Sequence, residues 1–130
     1  MATDALQGLQ ATVTKTSTFQ GAAMDLITRP SVTLHLWARV LYSAASNASG
    51  SNTVTFTVEG SVDNVNWGTI GGARVTDAVT LSTTPQAGEL WIPVSGFQLL
   101  RYVRLVCTIT GAGTSPTVTY IGDLNEGAPS

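Results

Sequence analysis

The stretch NTVTFTVEGSVDNVNWGTI, residues 52–70, decides the fold class. Val54, Phe56 and Val58 alternate with Thr53, Thr55, Thr57 and Glu59, the period of a strand with one buried face. Gly60 and Ser61 follow, then Asp63 and Asn64, whose side chains bond the local backbone in turns. A second apolar set, Val65, Trp67 and Ile70, resumes beyond them. The reading is a hairpin-like unit in which Trp67 returns to the core.

Outward from this unit, two more runs read as strong strands. In SVTLHLWARVLY, residues 31–42, one face is Val32, Leu34, Leu36, Ala38 and Val40, and the other is Thr33, His35, Trp37, Arg39 and Leu41. Val, Thr, Trp and Tyr favour strand over helix here. In LLRYVRLVCTIT, residues 99–110, Val103, Leu105, Cys107 and Ile109 oppose Tyr102, Arg104, Val106 and Thr108. The weaker runs are 9–18, an edge strand guarded by Lys15, 24–27, 73–81, 88–94 and 117–121. Pro93 marks a strand end or an edge. Turns fall at 19–23, 43–51 and 82–88, where Gly, Ser, Asn and Pro gather.

That makes about eight short strands, with turn signals roughly every ten residues and no helix. The expectation is an all-β, antiparallel β-sandwich, with a jelly roll preferred over an immunoglobulin-like topology. At 130 residues the chain fits one domain, 1–130, with a short N-terminal arm, 1–8, and a polar C-terminal tail, 122–130. Charged residues are only 11% and the net charge is −2, so the clustered Lys and Arg that nucleic acid requires are missing. The surface is instead neutral and rich in hydroxyls. Such a surface suits extended contact with another protein. No signal peptide and no membrane-length apolar run is visible, so the expectation is synthesis in a cytoplasm.

The residues offer no catalytic constellation and no cofactor or metal site. His35 is the only histidine and lies mid-strand, away from any nucleophile. Cys107 is the only cysteine and reads as a buried, inert thiol. Asp63 and Glu59, the nearest carboxylate pair, read as a turn former and a strand-face residue rather than as an acid and base. The sequon at Asn47 reads as chance in a loop that favours Asn and Ser. The bulk on the second strand faces says more. Trp37, Leu41, Trp91, Tyr102 and Val106 fall opposite the core faces, with Arg39 and Arg104 beside them. Three readings account for this: cover by other parts of the chain, a protein interface anchored by Trp37, Arg39, Leu41, Trp91, Tyr102 and Arg104, or an aromatic platform for sugars.

The run FTVEGSVDNVNW, residues 56–67, the late strand LRYVRLVCTIT and the short polar tail resemble the small capsid cement, or decoration, proteins of tailed bacteriophages. The resemblance implies a structural protein with no enzymatic activity that sits on the capsid exterior of a virion as a homotrimer. It would bridge and stabilise subunits of the major capsid protein. Stabilisation would work by linkage, since a ligand that prefers the assembled shell favours assembly. The alternative expectation is a carbohydrate- or receptor-binding β-sandwich module of a tail or fibre, using Trp37 or Trp91. A self-assembling coat protein is a third class, disfavoured because no basic RNA-binding face is present.

Overall fold

The computed structural model describes residues 4–25, 36–72, 78–94 and 102–126. Ten strands lie within them: β1 (Asp4–Lys15), β2 (Phe19–Gln20), β3 (Met24–Asp25), β4 (Leu36–Ser46), β5 (Thr53–Ser61), β6 (Gly68–Gly72), β7 (Val79–Thr80), β8 (Gln86–Val94), β9 (Tyr102–Thr110) and β10 (Thr117–Glu126). His35 and the first part of the expected 31–42 strand lie outside the described residues, as do 73–77 and 127–130. No helix among the described residues is long and apolar enough to cross a membrane.

The strands form two sheets in which every pairing is antiparallel. One sheet has the order β1-β10-β4-β8. The other runs β2-β9-β5-β6, with β3 also on β9 and β7 also on β5. The short pieces β2 and β3 share one edge, and β6 and β7 share the other. Counting each pair as one interrupted strand leaves four positions per sheet, and strands distant in sequence become neighbours. This interleaving of the two chain halves is jelly-roll topology, and it matches the expected count of about eight.

β5 sits between β9 and β6 in the second sheet, and its alternation decides which face it turns to the core. Val54, Phe56 and Val58 are fully buried, whereas Thr53, Thr55, Thr57 and Glu59 are half-buried on the outer side. Beside them in the same sheet stand Val103, Leu105 and Cys107 of β9, and the other sheet supplies Ala38 and Val40 of β4, Ile92 of β8 and Val118, Tyr120 and Leu124 of β10 to the same core. The Phe56 and Tyr120 rings meet edge to face, with centroids 4.9 Å apart at 67°, a favoured aromatic geometry. Gly122 of β10 lets the sheets close there, because a Cβ would stand 2.7 Å from Leu105 Cδ2.

Burial pushes the Cys107 thiol up to about 11. It also raises the Tyr120 phenol, whose ionised form is further disfavoured by the neighbouring Cys107. Both stay neutral at ordinary pH, and Cys107 is the inert core residue expected of it. Val106, expected among the exposed bulk, is buried despite its outward phase.

Three differences from the sequence reading have local causes. Trp67 does not join the core. The turn at Asp63 resets the phase, and Trp67 packs on the outer side of the second sheet against the Arg104 guanidinium, 4.1 Å from its ring centroid. Residues 43–46 continue β4 instead of starting a loop, and Phe19–Gln20 is strand instead of turn. Residues 4–8 and 122–126, assigned to arm and tail, belong to β1 and β10, which pair from Asp4↔Glu126 to Lys15↔Val118.

Candidate functional site

Of the six residues singled out as interface anchors, four come together on the outer face of the four-stranded sheet. Strand register places them: Arg39 of β4 lies opposite Trp91 of β8 on one side and Asp123 of β10 on the other. Trp37 lies opposite Pro93, and Leu41 lies between Glu89 and Ile121. Because side chains alternate along each strand, these rows share one face while Ala38, Val40, Ile92 and Leu124 fill the core behind them.

The face is held by polar contacts around one indole. Trp91 Nε1 donates to Glu89 Oε1 at 3.0 Å, a neighbour two residues along the same strand and therefore on the same side. Arg39 Nη2 donates to Asp123 Oδ2 at 3.2 Å. Its guanidinium carbon stands 5.9 Å from the Trp91 ring centroid, within cation–π range. Arg39 and Asp123 keep 31% and 20% of their side-chain surface, so the pair is wet and contributes orientation more than stability. Trp37 and Trp91 are half-buried. Further along β4, Leu41 is 38% exposed and borders a shallow groove of about 160 Å³ lined by Thr12, Tyr42, Ser43, Thr119 and Ile121.

The other two anchors point away. Tyr102 and Arg104 belong to β9, in the second sheet, on the opposite side of the sandwich. Arg104 is committed within the chain: its Nη2 and Nε reach Glu59 Oε1 at 2.7 and 2.8 Å, and Trp67 stacks on it. The single patch of six therefore becomes a cluster of four on one sheet and a pair, Tyr102 and Arg104, on the other, with Arg104 held in an intramolecular Arg104–Glu59–Trp67 unit. Sequence phase distinguishes inward from outward, and it is blind to which sheet a strand joins.

The carboxylates considered for acid–base work are engaged elsewhere. Asp63 Oδ1 accepts from the backbone N–H groups of Val65 and Asn66 at 2.9 and 2.8 Å and from Ser61 Oγ at 3.0 Å, and Oδ2 accepts from Asn66 Nδ2 at 2.9 Å. These donors, the backbone ones first, hold its carboxyl well below the usual carboxylate range. Glu59 faces Arg104, not Asp63. Among the described residues no group of three His, Cys, Asp or Glu side chains is placed to hold a metal ion.

Glu89 shares the phase of Trp91 in the sequence, opposite Leu90, Ile92 and Val94, but sequence reasoning missed Ile121 and Asp123 as members of the outer face. The signal was there for both: Val118, Tyr120 and Leu124 keep one alternation through the supposed tail, which puts Ile121 and Asp123 on the other side. At the far end of the sandwich, the Asn47 sequon proves structural. Asn47 is 6% exposed, and its amide donates to Asn52 Oδ1 at 2.9 Å and Gly50 O at 3.1 Å.

No protein-family model matches the chain, and no curated protein matches it. Among solved structures, the CBM22-1 xylan-binding domain of Paenibacillus barcinonensis Xyn10C is similar over 97% of this chain and 81% of that one, at a TM-score of 0.52 and 18% identity. At that identity the likeness is one of fold, and it agrees with the antiparallel β-sandwich derived from the strand order.

Proposed function

We propose that this chain is a binding module, not an enzyme, that acts through the outer face of its four-stranded sheet and takes a carbohydrate as ligand. The observation that carries this reading is the Trp91 row. An indole fixed through its N–H to Glu89 lies beside Arg39 and Asp123, so an apolar ring surface and several hydrogen-bonding groups converge on one patch. Sugars need this mixture: their C–H faces pack on aromatic rings while their hydroxyls seek coplanar donors and acceptors. The similar solved domain is described as xylan-binding, which supports the same ligand class. Binding to a glycan array that includes xylan fragments, abolished by Trp91→Ala with the melting temperature unchanged, is the expected result. Array binding that survives Trp91→Ala would refute the site, and no binding to any glycan would refute the ligand class.

A second reading has its own support. Leu41 and Ile121 place aliphatic bulk beside the indoles, an apolar centre with a polar rim of the kind protein interfaces use. Together with the weakly charged, hydroxyl-rich surface and the FTVEGSVDNVNW resemblance, this favours a cement role on a capsid exterior, with the major capsid protein as partner. Quantitative mass spectrometry of purified virus particles separates the two readings. A copy number in simple ratio to the main shell protein supports cement, and a handful of copies supports a glycan-binding module of a tail or fibre.

A further inference from the structure

The charges around the Trp91 indole are unequal. Among the described residues, Arg39 is the cation of this face, with Asp123 facing it from β10 and Glu89 on the same side of β8 as Trp91. One positive charge stands against two negative ones. We infer that this face selects uncharged glycans and rejects acidic ones, and that Glu89 and Asp123 set the choice. The inference rests on the carbohydrate reading above and narrows its ligand class.

Position comes first. A sugar lying on the Trp91 ring has a carboxylate at the N–H edge of that ring, since Glu89 Oε1 is 3.0 Å from Nε1. The Arg39 guanidinium carbon is 5.9 Å from the ring centroid, but its charge is already met by Asp123 Oδ2 at 3.2 Å. A carboxylate carried by the ligand would find the nearby cation compensated and a like charge beside it.

The supply of donors and acceptors points the same way. Glu89 Oε1 and Asp123 Oδ2 are engaged, whereas Glu89 Oε2 and Asp123 Oδ1 have no partner among the described residues. Ionised carboxylates accept hydrogen bonds and cannot donate them. A hydroxyl does both, so a neutral sugar can donate to the two open oxygens and accept from Arg39. A uronate group brings only acceptors, leaves those oxygens unmatched and adds repulsion. Selectivity is thus built from a repulsive element as well as an attractive one.

The pair on Arg39 is a single hydrogen bond, not a fork: Asp123 reaches Nη2 alone, and the buried Nε has no partner. Neutralising Asp123 therefore releases the guanidinium charge without removing a rigid brace. Arg39 and Asp123 keep 31% and 20% of their side-chain surface, so water screens the effect and the expected discrimination is about tenfold.

The test is calorimetric titration with two oligomers of equal length, neutral xylohexaose and acidic hexagalacturonate. The wild-type chain should bind xylohexaose tighter by about tenfold or more. Glu89→Gln and Asp123→Asn each keep an acceptor oxygen for Trp91 or Arg39 while removing a charge, and together they leave Arg39 uncompensated. The double variant should bind hexagalacturonate about tenfold tighter than the wild type does, and should lose that gain in about 1 M salt, where charges are screened beyond about 3 Å. Its xylohexaose affinity should move by less than about threefold. A salt-sensitive gain for one ligand alone is not what a merely structural change produces. Circular dichroism checks folding, and Glu89→Gln alone, with a gain of about threefold, serves if the double variant unfolds. A wild-type chain that binds both oligomers equally or prefers the acidic one, or variants that gain nothing, would overturn the inference and leave the carbohydrate reading standing. A wild-type chain that binds neither oligomer and no neutral glycan on the array would overturn both.

Discussion

Replacing Asn52 with alanine should cost far more than a loop substitution ordinarily does. Asn52 is 3% exposed and sits where three connections meet at one end of the sandwich. Its Oδ1 accepts from Asn47 Nδ2 at 2.9 Å, its Nδ2 donates to Thr110 O at 3.3 Å, and its carbonyl accepts from Leu81 N at 2.9 Å. Gly113 is pressed against the same amide, so no side chain can enter to replace it. The substitution removes two side-chain hydrogen bonds, each about 1 kcal/mol net, and leaves one of the two N–H groups of the buried Asn47 amide without its partner, the other still donating to Gly50 O, so the expected loss is about 2–3 kcal/mol. Asn47→Ala should cost less, about 1–2 kcal/mol, because it also removes an Oδ1 that is buried without a partner. The bond the two share predicts a coupling of about 1 kcal/mol in a double-mutant cycle. Urea unfolding followed by tryptophan fluorescence reads all three variants. A loss under about 0.5 kcal/mol for Asn52→Ala, or strict additivity of the pair, would refute the reasoning, since distant, independent sites add to within about 0.3–0.5 kcal/mol.

Phe56→Ala should cost about 3–5 kcal/mol by chemical denaturation, since a fully buried ring and its edge contact with Tyr120 are lost between two sheets that cannot collapse locally. Gly122→Ala should lower stability by about 1–3 kcal/mol, because the new methyl meets Leu105 Cδ2 and the buried Leu105 side chain must repack. Asp63 contributes stability that is fully present above about pH 4, the ordinary carboxylate value, and is lost as pH falls toward its depressed folded value. Denaturation midpoints of the wild type and Asp63→Asn should therefore converge on acidification, and a gap constant with pH would contradict this. Expression in a glycosylating host should leave Asn47 unmodified by intact-mass measurement, because its amide nitrogen is buried and donates twice.

The alternation at 53–59 was enough to read β5, since a strand with one apolar face has only one way to sit against a core. The same holds for β4, β8 and β9, whose inward residues Ala38, Val40, Ile92, Val103 and Leu105 are all buried as their phase requires. Sheet membership was not legible. Whether β9 joins β5 or β4 depends on pairing between segments about fifty residues apart, and no local pattern encodes it. This is why Arg104 and Arg39 looked alike in sequence and lie on opposite sides of the molecule. Trp67 was misread because a six-residue turn between β5 and β6 erases the phase carried by the preceding strand. The Asn47–Asn52 cluster was hidden for a related reason: Asn and Ser mark loops whether their amides are solvated or buried, and only the meeting of three loops decides which.

The central claim is that the outer face of the four-stranded sheet is the contact surface. The most direct test is a ¹⁵N-labelled chain titrated with xylohexaose and followed by amide and indole chemical shifts. The account predicts shifts that cluster on Arg39, Leu41, Glu89, Trp91 and Asp123, with the Trp91 indole N–H moving most as its bond to Glu89 is disturbed. Shifts centred on the Arg104–Glu59–Trp67 side, or a spectrum that does not change at saturating oligosaccharide, would contradict it.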